Sequence, residues 1–290
     1  MSDALSTDFS SLLPETPFSR RGFLVTALGA GFALAVHPVA AQSAIHTDTQ
    51  GLAAGEIRVK TPDGEMAAYR AQPAAGGHFP VILVVSEIFG VHEHIADICR
   101  RLAKLGYLAI APELFARQGD PRKIASIQEI MTGIVARVPD AQVMGDLDAC
   151  VDWAAAHGGD AARLGITGFC WGGRITWLYA AHNARLKAAV AWYGRLAGDK
   201  TALTPQQPLD LAGRLKAPVL GLYGGADAGI SLDTIWDMQD KLKAAGGQSM
   251  IHVYDDAPHA FHADYRPSYR KEAAEDGWRR MRDWFRSHGV

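Results

Sequence analysis

The sequence predicts an α/β protein, a doubly wound and mostly parallel sheet with helices on both faces, and three observations carry that reading. Beyond residue 56 the chain alternates short β-branched runs with stretches of helical period. One run, Pro80-Val81-Ile82-Leu83-Val84-Val85, is apolar without alternation, as a parallel strand buried on both faces should be. The residues with chemical character, Glu87, Cys170, Asp227 and His259, each follow the carboxyl end of a predicted strand, where open α/β sheets hold their ligands.

Composition narrows the function. The formal charge is −2 over 290 residues and the pI is near 6.6. Basic residues stand singly or in pairs such as Arg20-Arg21, with no longer run, so nucleic-acid binding has no electrostatic support. A small molecule is the expected partner. The three cysteines form no C-x-x-C pair. The histidine pairs His92/His94 and His259/His262 fit no ligand spacing with a third partner, so neither metal nor cofactor is expected.

Residues 1–41 read as a twin-arginine export signal. Ser19-Arg20-Arg21-Gly22-Phe23-Leu24 fits the motif, a mildly apolar run to Val36 follows, and Val39 and Ala41 suit a cut after Ala41. Glycines 29 and 31 and the short length argue against a spanning helix. The expected destination is the periplasm or the exterior, reached in the folded state, with membrane contact during export alone. Residues 42–55 read as a linker and 56–290 as a single domain.

Within that domain, Glu56–Lys60 and Met66–Ala71 flank Thr61-Pro62-Asp63-Gly64 and predict an antiparallel edge hairpin. The strand 80–85 leads to Ser86-Glu87-Ile88-Phe89-Gly90. A helix from His94 to Leu105, stopped by Gly106, and a strand from Tyr107 to Ala111 complete a right-handed βαβ unit. After the loop that carries Arg117, helices are expected over Ile124–Val138 and Asp140–His157. Strand Arg163–Thr167 and helix Gly172–Ala181 flank Cys170. Strand Leu186–Trp192, a loop from Gly194 to Leu211, strand Pro218–Tyr223, helix Leu232–Ala245, strand Met250–Tyr254 and an amphipathic helix Glu272–Phe285 follow.

The centre of the chemistry is Gly168-Phe169-Cys170-Trp171-Gly172, a sharp strand-to-helix turn with a nucleophile between glycines. A cysteine so placed is more often a small buried apolar residue. What favours a nucleophile is the order that follows, Asp227 and then His259. In that scheme His259 takes the thiol proton, Asp227 orients the imidazole, and the amides of Trp171 and Ile88 face the developing oxyanion. Asp227 has an alternative as a turn aspartate, and His259 as a loop histidine. Glu87, directly after an apolar strand, needs water or a partner. Trp171, Trp192 and Tyr193 are expected as pocket wall or core.

These residues resemble the dienelactone hydrolase family, carboxymethylenebutenolidase-like enzymes of the α/β-hydrolase fold, from about Glu56 to Phe285. The marks are Glu87-Ile88-Phe89-Gly90-Val91, Pro112-Glu113-Leu114-Phe115-Ala116-Arg117, Gly168-Phe169-Cys170-Trp171-Gly172-Gly173, Gly224-Gly225-Ala226-Asp227 and His259-Ala260-Phe261. The resemblance implies a Cys170-Asp227-His259 triad, a Glu87 that lies against the thiol and draws its proton when substrate arrives, an oxyanion hole of Ile88 and Trp171, and Arg117 on a substrate carboxylate. Tyr193 is expected beside the substrate. Where the family's enol-lactone enzymes carry a second substrate-binding arginine, four residues after the histidine, this chain has Ala263, and Arg266 is the nearest arginine.

The expected activity is hydrolysis of lactones or small carboxylic esters through Cys170. Two other functions remain open: a non-catalytic protein that binds a small acid, and a thiol redox protein with Cys99 or Cys150 as the resolving partner.

Overall fold

A computed structural model describes residues 44–290; the expected export signal lies outside them. The elements, in order, are β1 (Leu52–Thr61), β2 (Gly64–Pro73), β3 (Phe79–Val85), α1 (Glu93–Lys104), β4 (Leu108–Pro112), α2 (Ile127–Gly133), α3 (Asp140–Ala156), β5 (Gly159–Phe169), α4 (Trp171–His182), β6 (Leu186–Trp192), the short α5 (Pro208–Leu211), β7 (Val219–Gly224), α6 (Leu232–Ala244), β8 (Met250–Tyr254) and α7 (Lys271–Ser287). The eight strands form one sheet in the order β1-β2-β4-β3-β5-β6-β7-β8. The β1/β2 and β2/β4 pairs are antiparallel, and the remaining pairs are parallel.

That order places the site. The chain leaves β3 toward β4, then returns past β3 to lay down β5, so the direction of winding reverses between β3 and β5. A crevice opens there at the carboxyl edge. Glu87 and Ile88 leave β3 on one side of it, and Cys170 leaves β5 on the other.

The two faces can be told apart residue by residue, because successive side chains of a strand alternate. On β5, a Cβ at Gly168 would collide with the Gly172 carbonyl of α4, whereas one at Gly165 would meet Phe285 of α7. Thr167 lies on the α7 face and accepts a hydrogen bond from Trp192 Nε1 at 3.1 Å. Helix α1 shares that face through Arg101, whose guanidinium lies 6.0 Å from the Trp278 ring. Asp148 ties α3 to α4 on the other face, accepting from Tyr179 Oη at 2.9 Å and Asn183 Nδ2 at 2.7 Å. Residues Val81 to Val85 are completely buried, in accord with the unbroken apolar run.

Several boundaries differ from expectation. Strand β1 begins at Leu52, not Glu56. Part of the expected linker is also attached: Thr47 N donates to Asp97 Oδ1 at 2.5 Å, and its carbonyl accepts from Arg100 Nε at 2.7 Å. The helix expected over Ile124–Val138 is α2 flanked by 3-10 turns at Pro121–Lys123 and Val135–Arg137. Ser126 caps α2 by accepting from Glu129 N, so the helix cannot start earlier. The excursion 194–211 is loop apart from α5. No described helix is long and apolar enough to cross a membrane.

Candidate active site

Cys170 sits between β5 and α4 with φ 54° and ψ −113°. A side chain seldom adopts this backbone, and the surrounding structure must hold it there. Cys170 N donates to Trp192 O at 3.0 Å, and its carbonyl accepts from Gly173 N and Arg174 N in the first turn of α4. Glycine is required close by. A Cβ at Gly172 would lie 2.6 Å from Ser86 O and closer still to Val85 O, so only a bare backbone lets α4 start this near β3.

Among the described residues, the amides of Ile88 and Trp171 donate to no backbone group. Trp171 opens α4, so its N–H is one of the unpaired donors of a helix N-terminus. Its ring packs on Phe115, with centroids 4.7 Å apart. Ile88 is fully buried on the other side of the crevice.

The structure brings His259 and Asp227 together from the loops after β8 and β7. His259 Nδ1 and Asp227 Oδ2 are 2.6 Å apart, and Asp227 Oδ1 accepts from Gly229 N at 2.8 Å. Both side chains are buried. His259 Nε2 is buried and has no well-formed hydrogen-bond partner. Burial alone would strip the proton from this ring. The charge of Asp227, then that of Cys170, reverses the effect and pushes the imidazole up to about 10. The nitrogen not held by Asp227 is therefore the one within electrostatic reach of the sulfur.

Glu87 is oriented otherwise than expected. Its carboxylate lies 3.3 Å from His92 Nε2, through Oε2, while Oε1 is buried without a partner. Burial raises the carboxyl, but the His92 hydrogen bond and the charges of His92 and His94 outweigh it and hold it at about 2. Glu87 is thus an anion paired with a histidine rather than hydrogen-bonded to the thiol.

Tyr193 is fully buried, with φ 37°, and its ring stands edge-on to His259 at 5.1 Å. Among the described residues its hydroxyl has no hydrogen-bond partner. Burial first, then the charges of Glu87, Tyr265 and Cys170, push the phenol far up, so it stays a donor.

Arg117 takes a different place from the one expected. Its Nε and Nη2 donate to Asp63 at 2.6 Å each, Nη1 donates to Asp146 at 2.7 Å, and Nη2 also reaches Thr61. Every nitrogen is engaged in tying the β1–β2 turn to α3. A substrate carboxylate would have to displace Asp63 or Asp146. Asp146 is buried and partnered by this arginine.

Arg266 does reach inward. It is buried, lies 5.2 Å over the Phe89 ring and 5.8 Å from Tyr265, and its charge acts on the Tyr193 and Tyr265 phenols. Ala263 is buried as well.

Sequence reasoning missed the polar layer behind Glu87. His92 and His94 stack at 6.1 Å, with Tyr265 5.1 and 5.2 Å from the two rings. His94 Nδ1 meets Asp264 Oδ1 at 3.2 Å, and Asp264 accepts from Arg101 at 2.6 Å. His262 packs against Trp192 and Phe169, and burial holds its ring neutral. Among the described residues, His46, Glu93 and Asp97 are close enough to share a cation, but Arg100 already lies on both carboxylates. Cys99 and Cys150 are free and completely buried, with thiols pushed up by burial, which leaves them poorly placed to resolve an oxidised Cys170.

Residues 66–289 match the model of the dienelactone hydrolase family. The chain belongs to that family. It is 62% identical to a protein of Methylorubrum extorquens, over 99% of both chains, and 54% identical to one of Escherichia coli, over 92% of this chain and 98% of the other. Both bear the name "Putative carboxymethylenebutenolidase". A crystal structure from Klebsiella pneumoniae named "Putative Dienelactone Hydrolase" superposes with a TM-score of 0.80 at 58% identity, covering 81% of this chain and 98% of that one. The protein is a hydrolase of the dienelactone hydrolase family with an α/β-hydrolase fold.

Proposed function

We propose that this hydrolase opens lactones or cleaves small carboxylic esters with Cys170 as its nucleophile. The observation that carries the reading is the 2.6 Å His259–Asp227 contact, which leaves His259 Nε2 as the ring nitrogen available to the strained cysteine. With the imidazole raised to about 10, Nε2 already holds the proton given up by the thiol, and the sulfur attacks the acyl carbon. The amides of Ile88 and Trp171 receive the oxyanion. As the C–O bond breaks, imidazolium returns the proton to the leaving oxygen, and an acyl thioester remains on Cys170. Water, deprotonated by His259, releases the acid and restores the thiol. In a lactone the leaving oxygen stays attached to the acyl chain.

Phe89 follows Glu87 and Ile88 in the chain, Trp171 follows Cys170, and the Tyr193 ring stands 5.1 Å from His259, so aromatic walls are at hand for a small planar acyl group. We assign a carboxylate on that group to the neighbourhood of Arg266, whose buried guanidinium lies 5.2 Å over the Phe89 ring. The twin-arginine motif leads us to propose a periplasmic or secreted location as well.

The test is a panel of lactones and esters, with and without a free carboxylate, assayed on wild type and Cys170→Ala. Loss of nearly all turnover in the variant supports the reading. Retained turnover removes it. Ligand-induced thermal stabilisation without any turnover by wild type would favour a binding protein instead.

A further inference from the structure

His92 has no part in the scheme above, yet its place is unusual. It is the N-cap residue of α1 and makes no capping bond with its side chain. Serine, aspartate or asparagine would satisfy a free amide there, and a cation is disfavoured at a helix N-terminus. The side chain turns instead into the protein, where it is 8% exposed, and meets the Glu87 carboxylate, itself 4% exposed. Local helix stability does not account for this choice.

The position of Glu87 depends on that contact. One carboxylate oxygen is held by His92 and the other is buried without a partner. Glu87 and Cys170 flank one crevice: Val85 of β3 pairs with Gly168 of β5, and a Cβ at Gly172 would lie 2.6 Å from Ser86 O. Without that partner, the buried Glu87 carboxylate would have to seek another donor, and the candidates in the crevice are the Tyr193 hydroxyl and the thiol itself. A negative charge left near the sulfur opposes the thiolate.

We propose that His92 is a positioning residue that anchors Glu87 away from Cys170 and thereby sets the reactivity of the thiol. The groups that face His92 are Glu87 from the loop after β3, His94 from α1, and Tyr265 from the loop after His259, whose hydroxyl is 3.5 Å from Nε2. Arg266 lies beyond Tyr265, and Asp264 beyond His94. The position of Glu87 relative to the thiol is thus set by a residue that touches neither the sulfur nor the acyl group.

The inference rests on Cys170 as the reactive thiol, and the experiment separates the two. The rate of Cys170 alkylation by iodoacetamide is measured against pH, with the site read by peptide mass spectrometry, since Cys99 and Cys150 are fully buried. His92→Phe should raise the midpoint by about one pH unit, a roughly tenfold slower reaction below it. The same substitution in a Glu87→Gln background should give less than half that shift, because the anion it controls is gone. His92→Asn, which supplies a capping side chain too short for Glu87, should behave like His92→Phe and guards against a folding defect. An unchanged midpoint in both His92 variants, or a shift at least half as large without Glu87, overturns the proposal. Either result leaves the nucleophile reading intact, whereas a wild-type Cys170 that iodoacetamide does not alkylate would end both.

Discussion

His259 Nδ1 lies 2.6 Å from Asp227 Oδ2, with both groups buried and Asp227 further held by Gly229 N. An imidazole fixed in this way presents one nitrogen to its surroundings. Asp227→Asn keeps the size of the partner and removes its charge, so the ring loses both its orientation and its support as a cation. The expected loss is about 10³- to 10⁴-fold in kcat/KM, with little change in KM. Steady-state kinetics at a fixed pH check it.

The same contact makes stability depend on pH. His259 is pushed up to about 10 in the folded protein, from an ordinary value of 6.5. A folded-state value above the unfolded one gives stabilisation that is complete below about 6.5 and is lost as pH rises through about 10. Wild-type melting temperature should therefore decline over that window, and Asp227→Asn should flatten the decline. Thermal melts of both proteins across the range test this.

Arg117 and Arg266 should separate in their effects. Arg117→Ala breaks the tie between Asp63 and the buried Asp146, and leaving Asp146 unpaired should cost about 1–3 kcal/mol. Its effect on acidic and neutral substrates should be alike. Arg266→Ala should weaken turnover of carboxylate-bearing substrates selectively, seen as a rise in KM. A selective loss on Arg117→Ala would restore the anchoring role expected of it from sequence.

Export can be tested without the enzyme's chemistry. Replacing Arg20 and Arg21 together by lysine should leave the full-length precursor in the cytoplasm, while the unaltered chain should reach the periplasm in shortened form. Fractionation and the mass of the product decide this.

Much of the fold was legible because its signals are local. The β3 run, the cysteine elbow and the strand ends before Asp227 and His259 are each spelled out within a few residues of sequence, and the topology then brings these distant stretches to one edge. Strand β1 was read short because Leu52-Ala53-Ala54-Gly55 has no β-branched residue, although β2 pairs with all of it. The start of β5 at Gly159 was lost for a similar reason: Gly159 to Ala162 carry small or charged side chains, and it is the pairing of Gly159 and Asp160 with Phe79 and Pro80 that makes them strand. The polar layer was invisible for a different reason. His94 and Asp264 are 170 residues apart, and each reads alone as an ordinary surface residue. Arg117 shows the reverse case, in which a motif residue was legible but its partners, Asp63 and Asp146, were not.

The most direct test of the account is the mass of the enzyme during turnover of a slow ester, quenched in acid and digested. The account predicts one acyl group on the peptide that contains Cys170, its accumulation in a burst before steady state, and no adduct with Cys170→Ala. An acyl group on another residue, or full turnover by Cys170→Ala, would contradict it.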